Sequence, residues 1–157
     1  MDLLPYFEAI EASALGDIVR QSMWLFPVVQ SLHLLGLSVL GGAVLIVDLR
    51  MRGTGLRNHS IPQIARDARP WFVGALLVTL ASGVALFASE AIKCYYNFSF
   101  WVKITPLPVA IVFAFFIRDR IAAGAGMNAT TVTRVVGFLS TAMWLTVAAA
   151  GRWIGFS

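Results

Sequence analysis

Four long apolar stretches separated by short polar segments dominate the hydropathy pattern of this chain. They cover about residues 23–47, 71–89, 101–117 and 135–154. A helix needs roughly 20 apolar residues to cross a bilayer core, so stretches of this length are typical of membrane spans. Pro106 and Pro108 fall in the first turns of the third stretch, where a helix tolerates proline. The pattern predicts an all-α membrane protein whose residues 23–157 form a bundle of four transmembrane helices.

Residues 1–22 have a different pattern, in which apolar side chains alternate with acidic ones. The apolar positions recur at helical spacing: Leu3, Phe7, Ile10, Ala14 and Ile18. The acidic start is unlike the basic start of a signal peptide, so we do not expect one here. We expect an N-terminal amphipathic helix, which either lies flat at the membrane interface or packs against the spans.

Composition agrees with a membrane protein, since 59% of the residues are hydrophobic and 13% are charged. Soluble domains carry roughly 25% charged residues, so this chain could hardly build a water-facing surface. The net charge of +4 does not indicate a nucleic-acid partner, because the basic residues stand in short groups between apolar stretches. We therefore expect the lipid bilayer, and not nucleic acid, as the surrounding partner.

The basic residues are divided unequally between the two predicted sides of the membrane. Eight belong to the two loop regions on one side: Arg50, Arg52, Arg57, Arg66, Arg69, Arg118, Arg120 and Arg134. Four belong to the other side: Arg20, Lys93, Lys103 and Arg152. Lys and Arg accumulate in cytoplasmic loops, so this count predicts an N-out, C-out topology in the plasma membrane.

His33 is the most informative single residue of the sequence. It stands ten residues after Met23, roughly 15 Å into the first span and so near the bilayer midplane. Ionisable residues at that depth usually bind a ligand, carry protons or hold a buried partner. We consider two interpretations: a ligand for haem b iron, another metal or a quinone, and a neutral imidazole bonded to a neighbouring helix, for instance at Thr141. Gln30 lies one turn away on the same face, and Gly36 leaves space for a flat macrocycle.

A second haem ligand within the chain is harder to find. His59 stands in the Arg-rich loop, on the order of 20 Å from His33. Met143 lies in the fourth span at a depth of roughly 13 Å, counted from Arg152, and could ligate iron, although methionine in an apolar helix more often only packs. A haem would therefore be five-coordinate, use Met143, or be shared with a second copy of the chain.

Small residues at intervals of four predict close helix packing. They are Ala75, Thr79 and Gly83 in the second span, and Gly137 and Thr141 in the fourth. Such stripes serve contacts within one bundle or between copies, so we expect a homo-oligomer or a partner subunit, with the second-span stripe as the contact between copies.

Charged and aromatic residues at the span ends are predicted to be interface anchors. Lys103, Arg152 and Trp101 lie at the outer boundary, where long side chains reach the headgroups. Asp48, Arg50 and Arg52 close the first span at the opposite surface, where we expect local pairing or contact with lipid phosphates. No Gly-rich phosphate loop, HExxH motif or Gly-x-Ser-x-Gly motif is present, which argues against a self-contained enzyme.

Three motifs in the first span carry a family resemblance: Trp-Leu-Phe-Pro at 24–27, Ser-x-His-x-x-Gly at 31–36 and Val-Asp-Leu-Arg at 47–50. With Pro70, the 83–87 stretch, 97–100, Lys103 and 151–154, they resemble a bacterial family of small four-span inner-membrane proteins classed as a domain of unknown function. The resemblance implies a fold and an inner-membrane location, without an activity. It also suggests a further histidine in the third span, which residues 109–117 lack. A looser likeness is to copper-resistance membrane proteins.

Three functional hypotheses follow from these patterns. The first is a cofactor-binding or electron-transfer membrane subunit centred on His33. The second is a structural or assembly protein that acts through protein partners. The third is a component of copper transport, although Met-x-x-Met pairs and clustered Cys and His residues are missing from the sequence.

Overall fold

The computed structural model describes residues 3–153, and its long helices are those expected from the hydropathy pattern. Four helices are long and apolar enough to cross a membrane: Leu25–Arg52, Ile61–Ser89, Phe98–Ala123 and Thr131–Trp153, here called spans 1 to 4. The described residues contain no strand. The predicted all-α, four-span fold is therefore confirmed. The last predicted residue of the fourth span, Ile154, lies outside the described residues.

Spans 1 and 2 are longer than the apolar stretches that predict them. Span 1 continues to Arg52 and stops at Gly53, whose φ of +76° is a left-handed conformation that favours glycine. Span 2 begins after Ser60, whose hydroxyl accepts a hydrogen bond from the Gln63 amide at 3.3 Å. Capping residues and not hydropathy therefore set these two ends. The loops at 53–60 and 124–130 meet at one end of the bundle, here called the Arg-rich end.

Span 3 is a composite helix of four segments. α-Helices at Phe98–Ile104 and Pro106–Val112 are followed by a π-helical segment, Phe113–Arg118, and a last α-helix, Asp119–Ala123. Pro106 has no amide hydrogen, so it interrupts the regular bonding of the first two segments. A π-helical turn is rare and commonly stands at a functional position. Here it ends at a buried arginine, Arg118.

The N-terminal segment forms two short helices, Leu4–Glu11 and Ala14–Gln21, where the sequence predicts one. The prediction fails at Ser13, whose extended backbone breaks the helix while its hydroxyl accepts from the Gly16 amide at 3.3 Å. Both helices pack against the spans, which is the second of the two alternatives. Phe7 contacts four aromatic rings near the chain termini: Phe87, Tyr95, Phe100 and Trp101.

Two further contacts fix the N-terminal helices to the end of span 2. A carboxylate oxygen of Glu11 accepts a hydrogen bond from the Ile92 amide at 2.7 Å. Gly16 lies directly against the backbone of Ala88, because a Cβ at Gly16 would stand 2.5 Å from the Ala88 carbonyl oxygen. The end of the bundle that carries these helices and the 90–97 connection is here called the terminal end.

The bundle core consists of two apolar clusters. One lies between spans 1, 2 and 3: Leu40, Ala43, Val44, Phe72, Ala75, Leu76 and Ala114. The other lies near the Arg-rich end: Val47, Met51, Ile61, Ala122 and Val136. Large apolar side chains such as Leu35, Leu77 and Phe116 are exposed on the outside of the helices. An apolar exterior of this kind is suited to lipid, which solvates leucine and phenylalanine as well as a protein core does.

Candidate functional site

His33 projects from span 1 towards span 2 in the half of the bundle nearer the terminal end. Its Nδ1 atom lies 2.9 Å from the Ser82 hydroxyl oxygen. Gly83 makes room for the ring, since a Cβ at that position would stand 3.2 Å from the His33 Cε1 atom. The side chain is half-buried. The hydrogen-bonding partner is therefore Ser82 and not Thr141, the partner suggested by the sequence.

The hydrogen bonds of Ser82 define which ring nitrogen carries the proton. The Ser82 hydroxyl lies 2.6 Å from the Val78 carbonyl oxygen and 3.2 Å from the Thr79 carbonyl oxygen, both on span 2. When it donates its one hydrogen along span 2, its oxygen accepts from His33, and Nδ1 is then the protonated nitrogen of the ring. The Thr79 backbone also lies within hydrogen-bonding reach of the ring. In a neutral ring protonated at Nδ1, Nε2 keeps its lone pair for a ligand or a proton.

Lys103 of span 3 lies close enough for its charge to act on the His33 imidazole. Its ammonium group stands 3.4 Å from the position that a Cβ on Gly151 would occupy, so it lies between spans 3 and 4. The side chain is half-buried, and among the described residues its ammonium makes no ion pair. The structure thus places a hydrogen-bond donor, the Lys103 ammonium group, in the same half of the bundle as the His33 imidazole.

Cys94 stands in the short helix Ala91–Tyr96 between spans 2 and 3, near Lys103. Burial raises the pKa of its thiol to about 11, and the negative charge of Glu90 acts in the same direction. The thiol is therefore protonated near neutral pH. A protonated thiol is a poor nucleophile and a poor metal ligand, so Cys94 adds no reactive group to this site.

Gly36 does not provide the space for a macrocycle that the sequence suggests. It is buried against span 2, where a Cβ would lie 2.6 Å from the Thr79 hydroxyl oxygen. A groove of about 550 Å³ does run along Gly36 on the outer face of spans 1 and 2. However, His33 is not among the residues lining that groove, so a haem lying in it would not be held by His33.

The other residues predicted for this site are dispersed. Gln30 is exposed on span 1. Met143 is half-buried on span 4, whereas the hydrogen bond of His33 goes to span 2. The Thr141 hydroxyl lies 3.1 Å from the Asp48 carboxylate and 2.9 Å from the Gly137 carbonyl oxygen, which share its one hydrogen, so it serves another part of the core.

The predicted small-residue stripes pack helices within one chain. Ala75 and Thr79 are buried in the contact with span 1. Gly137 allows span 4 to approach span 1, because a Cβ there would lie 2.9 Å from the Asp48 carbonyl oxygen. The second-span stripe is thus occupied by span 1. Self-association stays a prediction, and a contact between copies would need a different surface.

The three predicted interface anchors have different surroundings. Trp101 is half-buried in the aromatic cluster around Phe7, and its indole donates to the Tyr95 carbonyl oxygen at 3.0 Å. Arg152 is exposed in the last turn of span 4. Lys103 is half-buried, with its ammonium group against Gly151.

Three charged residues that the sequence places at the surface are inside the bundle: Asp48, Arg50 and Arg118. Asp48 is 0% exposed and Arg118 is 2% exposed, so neither meets lipid headgroups. Arg50 is also buried, and it donates to the carbonyl oxygens of His59 and Met127, joining the two loops of the Arg-rich end. One signal could have identified Arg118. Counted in steps of four residues, Arg118 falls on the same helix face as three small residues, each of them buried: Ala110, Ala114 and Ala122.

Comparisons with known proteins place the chain in a family without assigning it a function. No curated protein and no solved structure matches it. A profile described as a family of unknown function, DUF6644, matches residues 6–157. This agrees with the resemblance carried by the first-span motifs. Because the match covers nearly the whole chain, the protein belongs to the DUF6644 family.

Proposed function

We propose that this protein is a cofactor-binding membrane subunit in which Nε2 of His33 accepts a hydrogen bond from a quinone-type redox carrier. The observation that supports the proposal is the chain of hydrogen bonds from His33 to Ser82 and from Ser82 to the Val78 carbonyl oxygen. A Ser82 hydroxyl that donates to Val78 accepts from Nδ1 of His33 and leaves Nε2 as a base. Fixing one ring nitrogen in order to present the other is the usual way in which proteins orient a ligating histidine.

The apolar surroundings make an unoccupied acceptor unfavourable. An unpaired polar group in hydrocarbon costs several kcal/mol, so a partner for Nε2 would stabilise the bundle. Lys103 adds a donor to the same half of the bundle, and its positive charge acts on the ring. A hydroquinone could donate to Nε2 through one oxygen and accept from Lys103 through the other. Such a carrier dissolves in the bilayer and reaches the site from it.

Haem b is the less suitable occupant. Thr79 fills the space beside Gly36, and His33 does not line the groove on the outer surface of spans 1 and 2. A divalent metal is opposed by the neighbouring ammonium group, because like charges repel strongly in a low dielectric. Residues 3–153 also contain no group of three His, Cys, Asp or Glu side chains able to hold a metal, so copper transport finds no support there.

A structural role is the second candidate, and one observation favours it. The bond from His33 to Ser82 joins span 1 to span 2, as a helix-packing histidine would. Under that role the chain is an assembly protein that acts through membrane partners, and Nε2 needs no ligand from outside.

Analysis of the bound cofactor separates these possibilities. The protein is purified from native membranes in mild detergent, and solvent extracts are assayed for quinone while the intact protein is assayed for a Soret band and for metals. We expect quinone in the wild type and about tenfold weaker retention in His33→Ala and in Lys103→Met, with His59→Ala as the matched control. A colourless preparation without quinone or metal, in which His33→Ala only lowers the unfolding temperature, would establish the structural role. A Soret band lost in His33→Ala would replace the quinone by haem.

We further propose that the Arg-rich end faces the cytoplasm of a bacterial cell and that both termini lie on the periplasmic side. Support comes from the division of eight Lys and Arg residues against four. In this orientation the His33 site opens towards the periplasmic half of the membrane. A homo-oligomer or a partner subunit would complete the assembly.

A further inference from the structure

A second group of polar side chains lies inside the bundle near the Arg-rich end. Asp48 of span 1, Arg118 of span 3 and Ser140 of span 4 are 0%, 2% and 0% exposed. Asp48 stands fifteen residues after His33 on one helix, roughly 22 Å away. This group is therefore separate from the His33 site, and its occupancy does not depend on the function proposed above.

The Asp48 carboxylate is only half satisfied. Its Oδ2 atom accepts from the Thr141 hydroxyl at 3.1 Å. Its Oδ1 atom is buried and has no hydrogen-bond partner. The Ser140 hydroxyl stands beside the same carboxylate, within reach of a hydrogen bond to it. Carboxylate and hydroxyl oxygens each accept more than one hydrogen bond, so both groups keep acceptor capacity inside the bundle.

The Arg118 guanidinium is also only partly satisfied. Its Nε and Nη2 atoms donate to one carboxylate oxygen of Asp119 at 3.2 and 3.0 Å. Its central carbon lies 4.8 Å from the centre of the Phe72 ring. The Nη1 atom is buried and unpaired. The charge of Arg118 acts on Asp48, yet no ion pair joins these two residues in the described part of the chain.

Trp144 supplies one more unpaired donor in this region. It follows Ser140 by one helical turn on span 4, so the two side chains share a face. Its ring packs edge-on against Phe72 at 5.8 Å, the same ring that Arg118 covers. The indole Nε1 is buried and has no hydrogen-bond partner.

We propose that Asp48, Arg118, Ser140 and Trp144 surround a binding site for ordered water, which bridges the buried carboxylate and the buried guanidinium. The unpaired atoms are an acceptor on Asp48 and donors on Arg118 and Trp144, and the neighbouring Ser140 hydroxyl can both donate and accept. Water is the small molecule that both donates and accepts, and buried waters typically make about three such bonds. A metal cation would be opposed by Arg118, and an anion would be opposed by Asp48.

The surroundings connect this water site to the Arg-rich end. The charged groups that act on Asp48 are Arg118 from span 3 and Arg52 from its own helix. Span 4 presents the hydroxyls of Ser140 and Thr141, and span 2 presents the uncharged ring of Phe72. Asp119, which pairs with Arg118, also lines a surface cleft of about 300 Å³ with Arg66 and Arg69. Arg118 therefore pairs with a residue that reaches the surface of the Arg-rich end.

Magnetisation transfer from water to indole N–H groups tests the site directly. Protein labelled with ¹⁵N-tryptophan is studied in bicelles, and Trp144→Phe identifies the Trp144 signal. We expect a water cross-peak at the Trp144 indole N–H, which exchanges with deuterium oxide. Trp101 serves as the internal control, because its indole N–H is already bonded to the Tyr95 carbonyl oxygen. A Trp144 signal without a water cross-peak and without exchange would overturn the proposal.

Charge-neutralising variants provide a second, independent measurement. Asp48→Asn and Arg118→Gln should each lower the unfolding temperature, because each leaves one buried charge without its bridged partner. The double variant should recover part of that loss and keep the water cross-peak at Trp144. Additive losses in the double variant would show that no bridge couples the two charges. An unfolding temperature that rises with sodium concentration, without the cross-peak, would identify a cation site and also contradict the proposal.

Discussion

Gly36 of span 1 lies directly against Thr79 of span 2, at a distance that leaves no room for a side chain. A Cβ at Gly36 would stand 2.6 Å from the Thr79 hydroxyl oxygen. This contact lets the two helices approach one turn away from the His33–Ser82 hydrogen bond. The packing of these glycine and threonine residues therefore also sets the position of the imidazole.

Replacement of Gly36 by alanine should destabilise the bundle. The added methyl group forces spans 1 and 2 apart or displaces the short, stiff Thr79 side chain, and overpacking of this kind costs about 1–3 kcal/mol. Gly41→Ala on the same helix is the matched control, because nothing lies within 4 Å of its Cβ position. Thermal unfolding in mild detergent measures both. Equal unfolding temperatures for the two variants would show that the Gly36 contact does not hold spans 1 and 2 together.

Gly83→Ala should weaken ligand binding more than it weakens the fold. Its Cβ would stand 3.2 Å from the His33 ring, so the imidazole must shift by a few tenths of an ångström and Nε2 moves with it. We expect a severalfold loss of quinone retention. Gly74→Ala on the same span has open space at its Cβ position and should retain quinone as the wild type does. Unchanged retention in Gly83→Ala would show that the ring position is not critical.

Cys94 should react slowly with alkylating reagents near neutral pH. Burial raises the pKa of the thiol to about 11 from 9.0, so the reactive thiolate is scarce until the solution becomes strongly alkaline. Because the folded protein holds the proton more tightly than the unfolded chain, the stabilisation from this thiol is complete below pH 9 and is lost as the pH rises towards 11. Alkylation rates measured from pH 7 to pH 11 by mass spectrometry check this. A rate that levels off near pH 9 would contradict the raised pKa.

The proposed N-out, C-out topology predicts that the chain terminus is accessible from outside the cell. Ser157, the last residue, lies outside the described residues and is a suitable labelling position. On a Cys94→Ala background, Ser157→Cys should react with a membrane-impermeant maleimide in intact spheroplasts. Arg57→Cys, in the loop of the Arg-rich end, is the matched control and should react only after permeabilisation. The reverse pattern would place the Arg-rich end outside.

Much of the fold could be predicted from the sequence because a span is defined by length and hydropathy alone. The apolar stretches identify all four helices, although the helix ends depend on local caps such as Ser60 and Gly53. His33 could likewise be recognised, since an ionisable residue in the middle of an apolar stretch stands out without knowledge of its neighbours. Its partner could not, because Ser82 and Thr141 are equally plausible hydroxyls until the helices are placed side by side.

The tertiary structure alone decided where the charged residues at the span ends point. Asp48 and Arg118 read as surface residues because each stands beside the polar loop that follows its apolar stretch. The hydropathy pattern shows how close a residue lies to the end of an apolar stretch. Burial depends instead on which face of the helix the neighbouring helices cover. Asp48 shares a buried face with Val44 and Met51, and Arg118 ends a π-helical segment within a row of buried alanines. The sequence by itself determined how many helices are long and apolar enough to cross a membrane, and helix packing determined which polar groups they enclose.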